Sequence, residues 1–406
     1  DRNIIAEVEK ITSIDQILTG ANPGNITLLG EEFDEIYLNK VHTLSLSPES
    51  VGKFHDMKIA YTPLHGAGVR LVPASLRKWG FTNVSLVEEQ AVIDGNFPTV
   101  ESPNPEERKT MAKAIELGSR LGADLVLATD PDSDRIGVAL RNAKGEYVLL
   151  NGNQTLSLIM AYQLTRWSEL GRLDGKEFVV KTIVTSQMPN VMAAHFGVKC
   201  YDCLTGFKYI ARIIRNNEGK ATYIGGGEES FGYLAGDYVR DKDAVSACSL
   251  VAEAAAWTRD TMGLTLYEWL QKLYVEFGFF REGLVSVVRK GMEGAAEIQQ
   301  MMVDYRADPP REIAGSPVVK INDFKLLEST DVRTGAKTPI EEEASNVLQW
   351  FAADGTVVSV RPSGTEPKIK FYFGVRAELE SVADFDRVEA GLDAKIETIK
   401  KELKLV

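Results

Sequence analysis

Residues 123–140 read ADLVLATDPDSDRIGVAL, two apolar runs on either side of an acidic turn. The first run is short, unbroken and bounded by turn residues, the mark of a strand buried on both faces. The second, Ile136–Leu140, reads as another strand rather than as a helix. Between them Asp130, Asp132 and Asp134 stand at alternate positions of a proline-containing turn, which can curl all three carboxylates around one point. Carboxylates that close repel in a poor dielectric, so a cation between them is the natural complement, and hard oxygen donors select Mg²⁺, Mn²⁺ or Ca²⁺. A solvated acidic turn is the plain alternative. An EF-hand loop fails, because Arg135 stands where that loop has glycine and Arg141 where it has its bidentate glutamate. Arg135 beside a divalent ion suits phosphate, whose oxygens its fork can reach.

Outward from this turn, strands alternate with helices. Residues 58–62 (strand), the loop PLHGAG at 63–68, a helix over 69–80, a strand at 83–87 and a helix over Glu106–Leu121 lead into it. A second cycle of similar order follows from Asn151, with helices over Gln154–Trp167, Met188–Phe196, Phe207–Asn216 and Asp243–Met262. Its strands are 177–186, 198–203 and 221–226. Two such βαβ runs predict two related α/β domains with mixed, mostly parallel sheets. Beyond a linker helix at 266–279 the pattern turns to hairpin-spaced strands (283–289, 317–324, 346–353, 355–362, 368–377) and two helices, a smaller α+β domain with an antiparallel sheet. The expected divisions are 50–150, 151–265 and 280–406, with 1–49 as a tail and linker.

The chain has 406 residues, 44% apolar and 26% charged, with net charge −12, which is too long for one core and ordinary for a globular protein. Its acidity argues against nucleic acid or an anionic membrane as partner. No apolar run reaches spanning length and the start is no signal peptide, so a cytoplasmic address is expected. Cys200 and Cys203 form a C-x-x-C without a second pair or neighbouring histidines, and with Cys248 they read as buried thiols.

Three further loops carry chemistry. GGGEESFG at 225–232 presents Glu228 and Ser230 at alternate positions on a glycine-rich turn, suited to vicinal sugar hydroxyls, with a plain turn as the alternative. Just beyond, Arg240-Asp241-Lys242-Asp243 mixes charges ahead of a helix that Asp241 or Asp243 can cap. Thr205-Gly206-Phe207-Lys208 puts a lysine in the first turn of a helix, unfavourable unless an anion is near. Arg361-Pro362-Ser363-Gly364-Thr365-Glu366-Pro367-Lys368 combines a cation, hydroxyls and an open glycine amide, the makings of a phosphate nest.

In order and spacing these loops resemble the α-D-phosphohexomutases, the phosphoglucomutase/phosphomannomutase family: D-x-D-x-D-R at 130–135, G-E-x-S with Gly232 following, and R-x-S-G-T-E-P from Arg361. The resemblance runs from about residue 50 to the end. It implies the second, third and fourth of four domains. The first, whose T-A-S-H-N-P serine carries the transferred phosphoryl group, is expected to be absent, since none of His42, His55, His65 and His195 follows a serine.

It further implies interconversion of hexose 1- and 6-phosphates through a phosphoserine and a 1,6-bisphosphate, with glucose 1,6-bisphosphate as primer. Mg²⁺ (alternatively Mn²⁺) would sit on Asp130, Asp132 and Asp134, assisted by Arg135. Lys242 is implied as general acid/base, with its pKa lowered toward neutrality. Lys208, with Thr205 and Gly206, falls in the loop that selects sugar orientation. Glu228, Ser230 and Arg240 would meet the sugar, and Arg361, Ser363, Gly364, Thr365 and Lys368 the idle phosphate. Glu229 matches the glucose-type sugar loop, and mannose is a secondary substrate. His65 reads as turn support. The implied partners are hexose phosphates, the assembly monomer or homodimer, and the chain alone a fragment without turnover, or a non-catalytic Mg²⁺ and sugar-phosphate binder.

Overall fold

The computed structural model describes residues 2–17, 19–20, 23–289, 291–363 and 367–405, the side chains of 2, 23 and 292 excepted. The acidic turn joins β3 to β4 in a five-stranded sheet made of β1 (Ile59–Thr62), β2 (Val84–Leu86), β3 (Leu125–Thr129), β4 (Ile136–Arg141) and β5 (Tyr147–Leu149). The order is β2-β1-β3-β4-β5, parallel through its first three strands and antiparallel from β3 onward. β3 is buried at every position, as its unbroken apolar run requires.

A second sheet, β6 (Glu177–Thr182), β7 (Lys199–Cys203), β8 (Thr222–Gly227) and β9 (Tyr233–Ala235), has the order β7-β6-β8-β9. Its first three strands are parallel and its fourth antiparallel. Both sheets place second, first, third and fourth strands side by side in that order, so the two cycles share one topology.

The third sheet is antiparallel throughout its ordered pairs. It comprises β10 (Phe279–Val288), β12 (Ser316–Asp323), β13 (Glu328–Asp331), β14 (Lys337–Pro339), β15 (Leu348–Ala352), β16 (Val357–Pro362) and β17 (Lys368–Ala377), with β11 (Glu312–Ile313) on its edge. The chain reaches it through the helix Leu266–Phe277 and Gly278, whose φ of 97° suits glycine alone. Tyr274, Phe279 and Phe385 stack as near-parallel rings at this joint, with centroids 4.3 and 4.8 Å apart on either side of Phe279.

Three local readings change. The helix expected from Glu106 begins at Ala112. Residues 104–111 are held as turns instead, Asn104 Oδ1 accepting from Glu106 N at 3.2 Å and Thr110 Oγ1 donating to Ser102 O at 2.8 Å. The strand expected over 177–186 ends at Thr182, where the chain turns. The weakly patterned N-terminal region holds a helix at Glu31–His42, with acidic residues in its first turn and Lys40 and His42 in its last.

The three cysteines are free thiols; Cys203 and Cys248 are buried as expected, Cys200 is only half-buried, and burial pushes its thiol up to about 12. Among the described residues no helix is long and apolar enough to cross a membrane.

Where the three sheets meet, a cavity of about 270 Å³ is lined by Glu106, Asn153, Glu229, Phe231, Glu282 and Tyr372. Burial pushes the Glu282 carboxyl up to about 7, against the opposing pull of Ser186 and Arg281. The folded state therefore binds a proton more readily than the unfolded chain, and this group's contribution to stability falls as pH rises from about 4.5 to about 7. Glu282→Gln is expected to flatten that part of the stability–pH profile. Superimposable profiles from urea unfolding of the two proteins would refute it.

Candidate active site

Asp130 organises the acidic turn. Its Oδ1 accepts from the backbone N–H groups of Asp134 (3.1 Å) and Arg135 (3.0 Å), and its Oδ2 takes Arg135 Nε at 2.6 Å. Ser133 crosses to φ 61°, which closes the turn so that oxygens of Asp130, Asp132 and Asp134 all come within 4.8 Å of one another. That spacing and the all-carboxylate donor set fit a hard divalent cation, which these three residues would hold. Burial pushes the Asp130 carboxyl up to about 6, while its Arg135 bonds pull it down.

The turn is set in place from below by the 63–68 loop. Ala67 N donates to Pro131 O at 2.8 Å, and a Cβ on Gly66 would lie 2.3 Å from Pro131 Cα. Leu64 and His65 adopt left-handed φ of 48° and 63°. The His65 ring is buried, with Nδ1 2.9 Å from Val92 O and Nε2 2.8 Å from Thr99 Oγ1. A carbonyl can only accept, so Nδ1 carries the proton and Nε2 accepts from Thr99. His65 is thereby a prop for the turn, as its sequence context suggested.

The sugar-loop candidate sits directly against the acidic turn. Arg135 bridges Gly232, and Ile136 N donates to Phe231 O at 3.0 Å. Glu228, 5% exposed, accepts from Gly206 N at 2.8 Å, which ties the 205–208 loop to the same place. Burial raises the Glu228 carboxyl; the Gly206 bond and the charge of Lys242 oppose that rise, and Asp134 adds to it. Thr205 Oγ1 is buried without a hydrogen-bond partner among the described residues. A Cβ on Gly232 would lie 2.1 Å from Lys242 Cδ, so a side chain there would have to displace the lysine stem.

Lys242 Nζ lies 3.0 Å from Asp134 Oδ2 and 3.1 Å from Asp241 Oδ1. Burial pulls its pKa down, but those two carboxylates outweigh burial and hold it above the ordinary lysine value. The lowering expected for a neutral base is therefore corrected: the neighbours are anions, and Lys242 stands as an ammonium. Because it shares Asp134 with the cation site, Lys242→Met is expected to tighten divalent binding several-fold, on the order of 1 kcal/mol. Calorimetry with Mg²⁺ or Mn²⁺ checks this; unchanged or weaker binding would show that the lysine and the cation do not compete.

Other sequence candidates lie elsewhere. Arg240 turns onto Glu218 and the Asp237 carbonyl, and Lys208 is exposed with its ammonium 5.0 Å from the Tyr209 ring. Neither joins the cluster around Lys242 in this conformation. Ser230 is half-buried on the turn beside Glu228. Asp243, not Asp241, caps the helix Ala244–Met262, accepting from Val245 N and Ser246 N at 2.8 and 3.2 Å. Gly364 and Thr365 lie outside the described residues.

Arg361, next to last in β16, pairs in register with Lys370 on β17, and Ser363 N donates to Lys368 O at 2.7 Å. Two like charges opposite each other on adjacent strands disfavour the sheet unless an anion sits between them. The Arg361 side chain reaches Tyr372, whose hydroxyl also feels the charges of Glu229 and Glu228, so the base of this loop faces the sugar-loop candidate. Lys370 and the Arg135 neighbours Asn104 (3.5 Å) and Glu106 (3.6 Å) were not found from sequence. Lys370 was legible in principle, since Arg361 and Lys370 are equidistant from the centre of the hairpin.

Comparison with known proteins identifies the family. Sequence models of phosphoglucomutase/phosphomannomutase match in three parts: α/β/α domain II over residues 35–145, α/β/α domain III over 151–277, and the C-terminal domain over 319–392. The chain belongs to the phosphoglucomutase/phosphomannomutase family. Phosphoglucomutases of Staphylococcus aureus strains MRSA252 and N315 are each 33% identical over 393 residues, covering 97% of this chain and 68% of theirs. The chain thus spans about two thirds of the length of these relatives. Among solved structures, the Paramecium phosphoglucomutase parafusin in its open form has a TM-score of 0.59 at 14% identity, covering 97% of this chain and 68% of that one. A phosphoglucomutase/phosphomannomutase family protein of Burkholderia thailandensis has a TM-score of 0.58 at 17% identity, covering 90% and 64%. At such identities these two speak for the fold alone.

Proposed function

We propose that this chain carries the cation, sugar and phosphate loops of a phosphohexomutase interconverting hexose 1-phosphate and hexose 6-phosphate, with glucose favoured and mannose secondary. The supporting observation is the direct bridge between the acidic turn and the 225–232 loop, with Lys242 reaching Asp134 between them. In this reading the phosphoryl group passes through a phosphoserine supplied from outside residues 1–406 and through a 1,6-bisphosphate.

Phosphoryl transfer asks the protein mainly for position and charge. Asp130, Asp132 and Asp134 would hold Mg²⁺, or Mn²⁺, which when bound supplies positive charge next to the transferring group. Arg135, locked at Nε by Asp130, offers its remaining N–H groups to phosphate oxygens. Glu228 and Ser230 accept and donate to sugar hydroxyls, flanked by Thr205 and Gly206. Lys242, held as an ammonium, gives a proton to the departing sugar oxygen and takes it back in the reverse step. Arg361, Lys370, Ser363 and Lys368 bind the phosphate that is not reacting. Residues 50–150, 151–265 and 280–406 act as three domains around this cleft, soluble in the cytoplasm as monomer or homodimer.

Two assays test this. Glucose 1,6-bisphosphate with Mg²⁺ is expected to bind at one site per chain; absence of binding would sink the mutase reading. Incubated alone with glucose 1-phosphate and that primer, the chain is expected to form no glucose 6-phosphate. Sustained turnover would contradict only the outside donor.

A further inference from the structure

Lys181 is a lysine with no exposed side-chain surface, and the reaction proposed above does not use it. It lies at the end of β6, where its backbone pairs with Gly227 on β8 and with Asp202 on β7. Its ammonium meets three acceptors: Asp202 Oδ1 at 2.9 Å, Thr182 O at 3.4 Å and Thr185 O at 3.5 Å. An ammonium has three protons, so each finds a partner. Two of the three acceptors are carbonyls of the turn that follows β6.

That turn faces two ways. Thr182 Oγ1 and Thr185 Oγ1 donate to Glu229 Oε2 at 2.9 and 3.3 Å, and Glu229 N donates back to Thr185 Oγ1 at 3.2 Å. Glu229 sits between Glu228 and Ser230, so these bonds fix the backbone of the sugar loop. On the other side, buried Gln349 of β15 donates to Ile183 O at 2.8 Å. Ile183 and Val184 also pack with Tyr372 of β17 and with Phe324 and Val347, which flank β12 and β15.

We infer that Lys181 is a positioning residue for the sugar loop, acting through the 182–185 turn, and that this turn makes hexose binding depend on how the C-terminal sheet is seated. The inference rests on the functional reading above. Removing the ammonium leaves two carbonyls without their partner and loosens the turn that holds Glu229, while Arg361 and Lys370 keep the geometry set by the pairing of β16 with β17. Hexose recognition should then weaken more than phosphate recognition.

The experiment measures the affinities of glucose 1-phosphate and of inorganic phosphate, with thermal unfolding, for the full chain and for Lys181→Met, Thr185→Val and Gln349→Ala. Lys181→Met and Thr185→Val are expected to weaken glucose 1-phosphate about tenfold and phosphate less than about twofold. Gln349→Ala is expected to act in the same direction, and its combination with Thr185→Val to lose less than the product of the single losses, because both act through one turn. Thr185→Val exchanges a hydroxyl for a methyl and breaks the turn's bonds to Glu229, so an unchanged affinity ratio in it overturns the inference even if Lys181→Met does not fold. A merely structural lysine would lower the unfolding temperature and leave the ratio of the two affinities unchanged, which overturns the inference alone. No glucose 1-phosphate binding by the unaltered chain overturns the functional reading and the inference with it.

Discussion

Gly66→Ala is expected to weaken divalent-cation binding at least about tenfold and to destabilise the chain by roughly 1–3 kcal/mol. The new Cβ would lie 2.3 Å from Pro131 Cα, 2.5 Å from its carbonyl oxygen and 2.7 Å from its carbonyl carbon. All three are backbone atoms of the acidic turn, so no rotamer change relieves the clash. Either the 63–68 loop or the turn must move. The loop is tied by the His65 bonds to Val92 and Thr99 and by His65 N to Gln90 O at 2.9 Å, so the turn yields first. Displacing Pro131 spreads Asp130 and Asp132, and a cation loses its cage. Titration with Mn²⁺ checks it; an affinity equal to that of the unaltered chain would mean the close approach does not set the cage.

Glu253→Ala is expected to cost roughly 3–5 kcal/mol of stability, and Glu253→Gln distinctly less. The carboxylate has no exposed surface and accepts from Leu46 N at 2.9 Å, Ser47 N at 3.0 Å, Tyr162 Oη at 2.8 Å and the Ser45 hydroxyl. Burial raises its pKa, and those donors pull it back. Alanine strands the donors in a dry interior, whereas glutamine keeps one accepting oxygen. Glu253 lies on the helix Ala244–Met262 and Tyr162 on the helix Gly152–Glu169, while residues 45–47 lie in the entry to the first sheet, so the contact clasps the two α/β units. Urea unfolding midpoints measure the effect. A shift under about 1 kcal/mol for alanine would show that water or rearrangement satisfies the donors.

The sequence carried the architecture because strand and helix periods are local: the buried run before Asp130 could be little but a central strand. The acidic turn was legible for the same reason, its carboxylates and arginine being contained in six residues. What escaped depends on contacts through space. Glu253 sits in an alanine-rich helix and gains meaning only from residues 45–47, about two hundred positions earlier. The 106–111 stretch has helical composition, yet Asn104 and Thr110 side chains hold it as turns beside Arg135. Lys242 stood in the motif, but the carboxylates that keep it charged could not be ranked from spacing: Asp241 adjoins it, while Asp134 arrives from another sheet.

The most direct test is whether three loops so far apart in sequence bind one ligand. Glucose 1,6-bisphosphate binding in the presence of Mg²⁺ is measured for the chain and for Asp132→Asn, Glu228→Gln and Arg361→Gln, each with its fold checked by unfolding. The expected result is one site per chain and a clear loss of affinity for this same ligand in all three variants. Full affinity in any one of them, with the protein folded, would contradict a shared cleft.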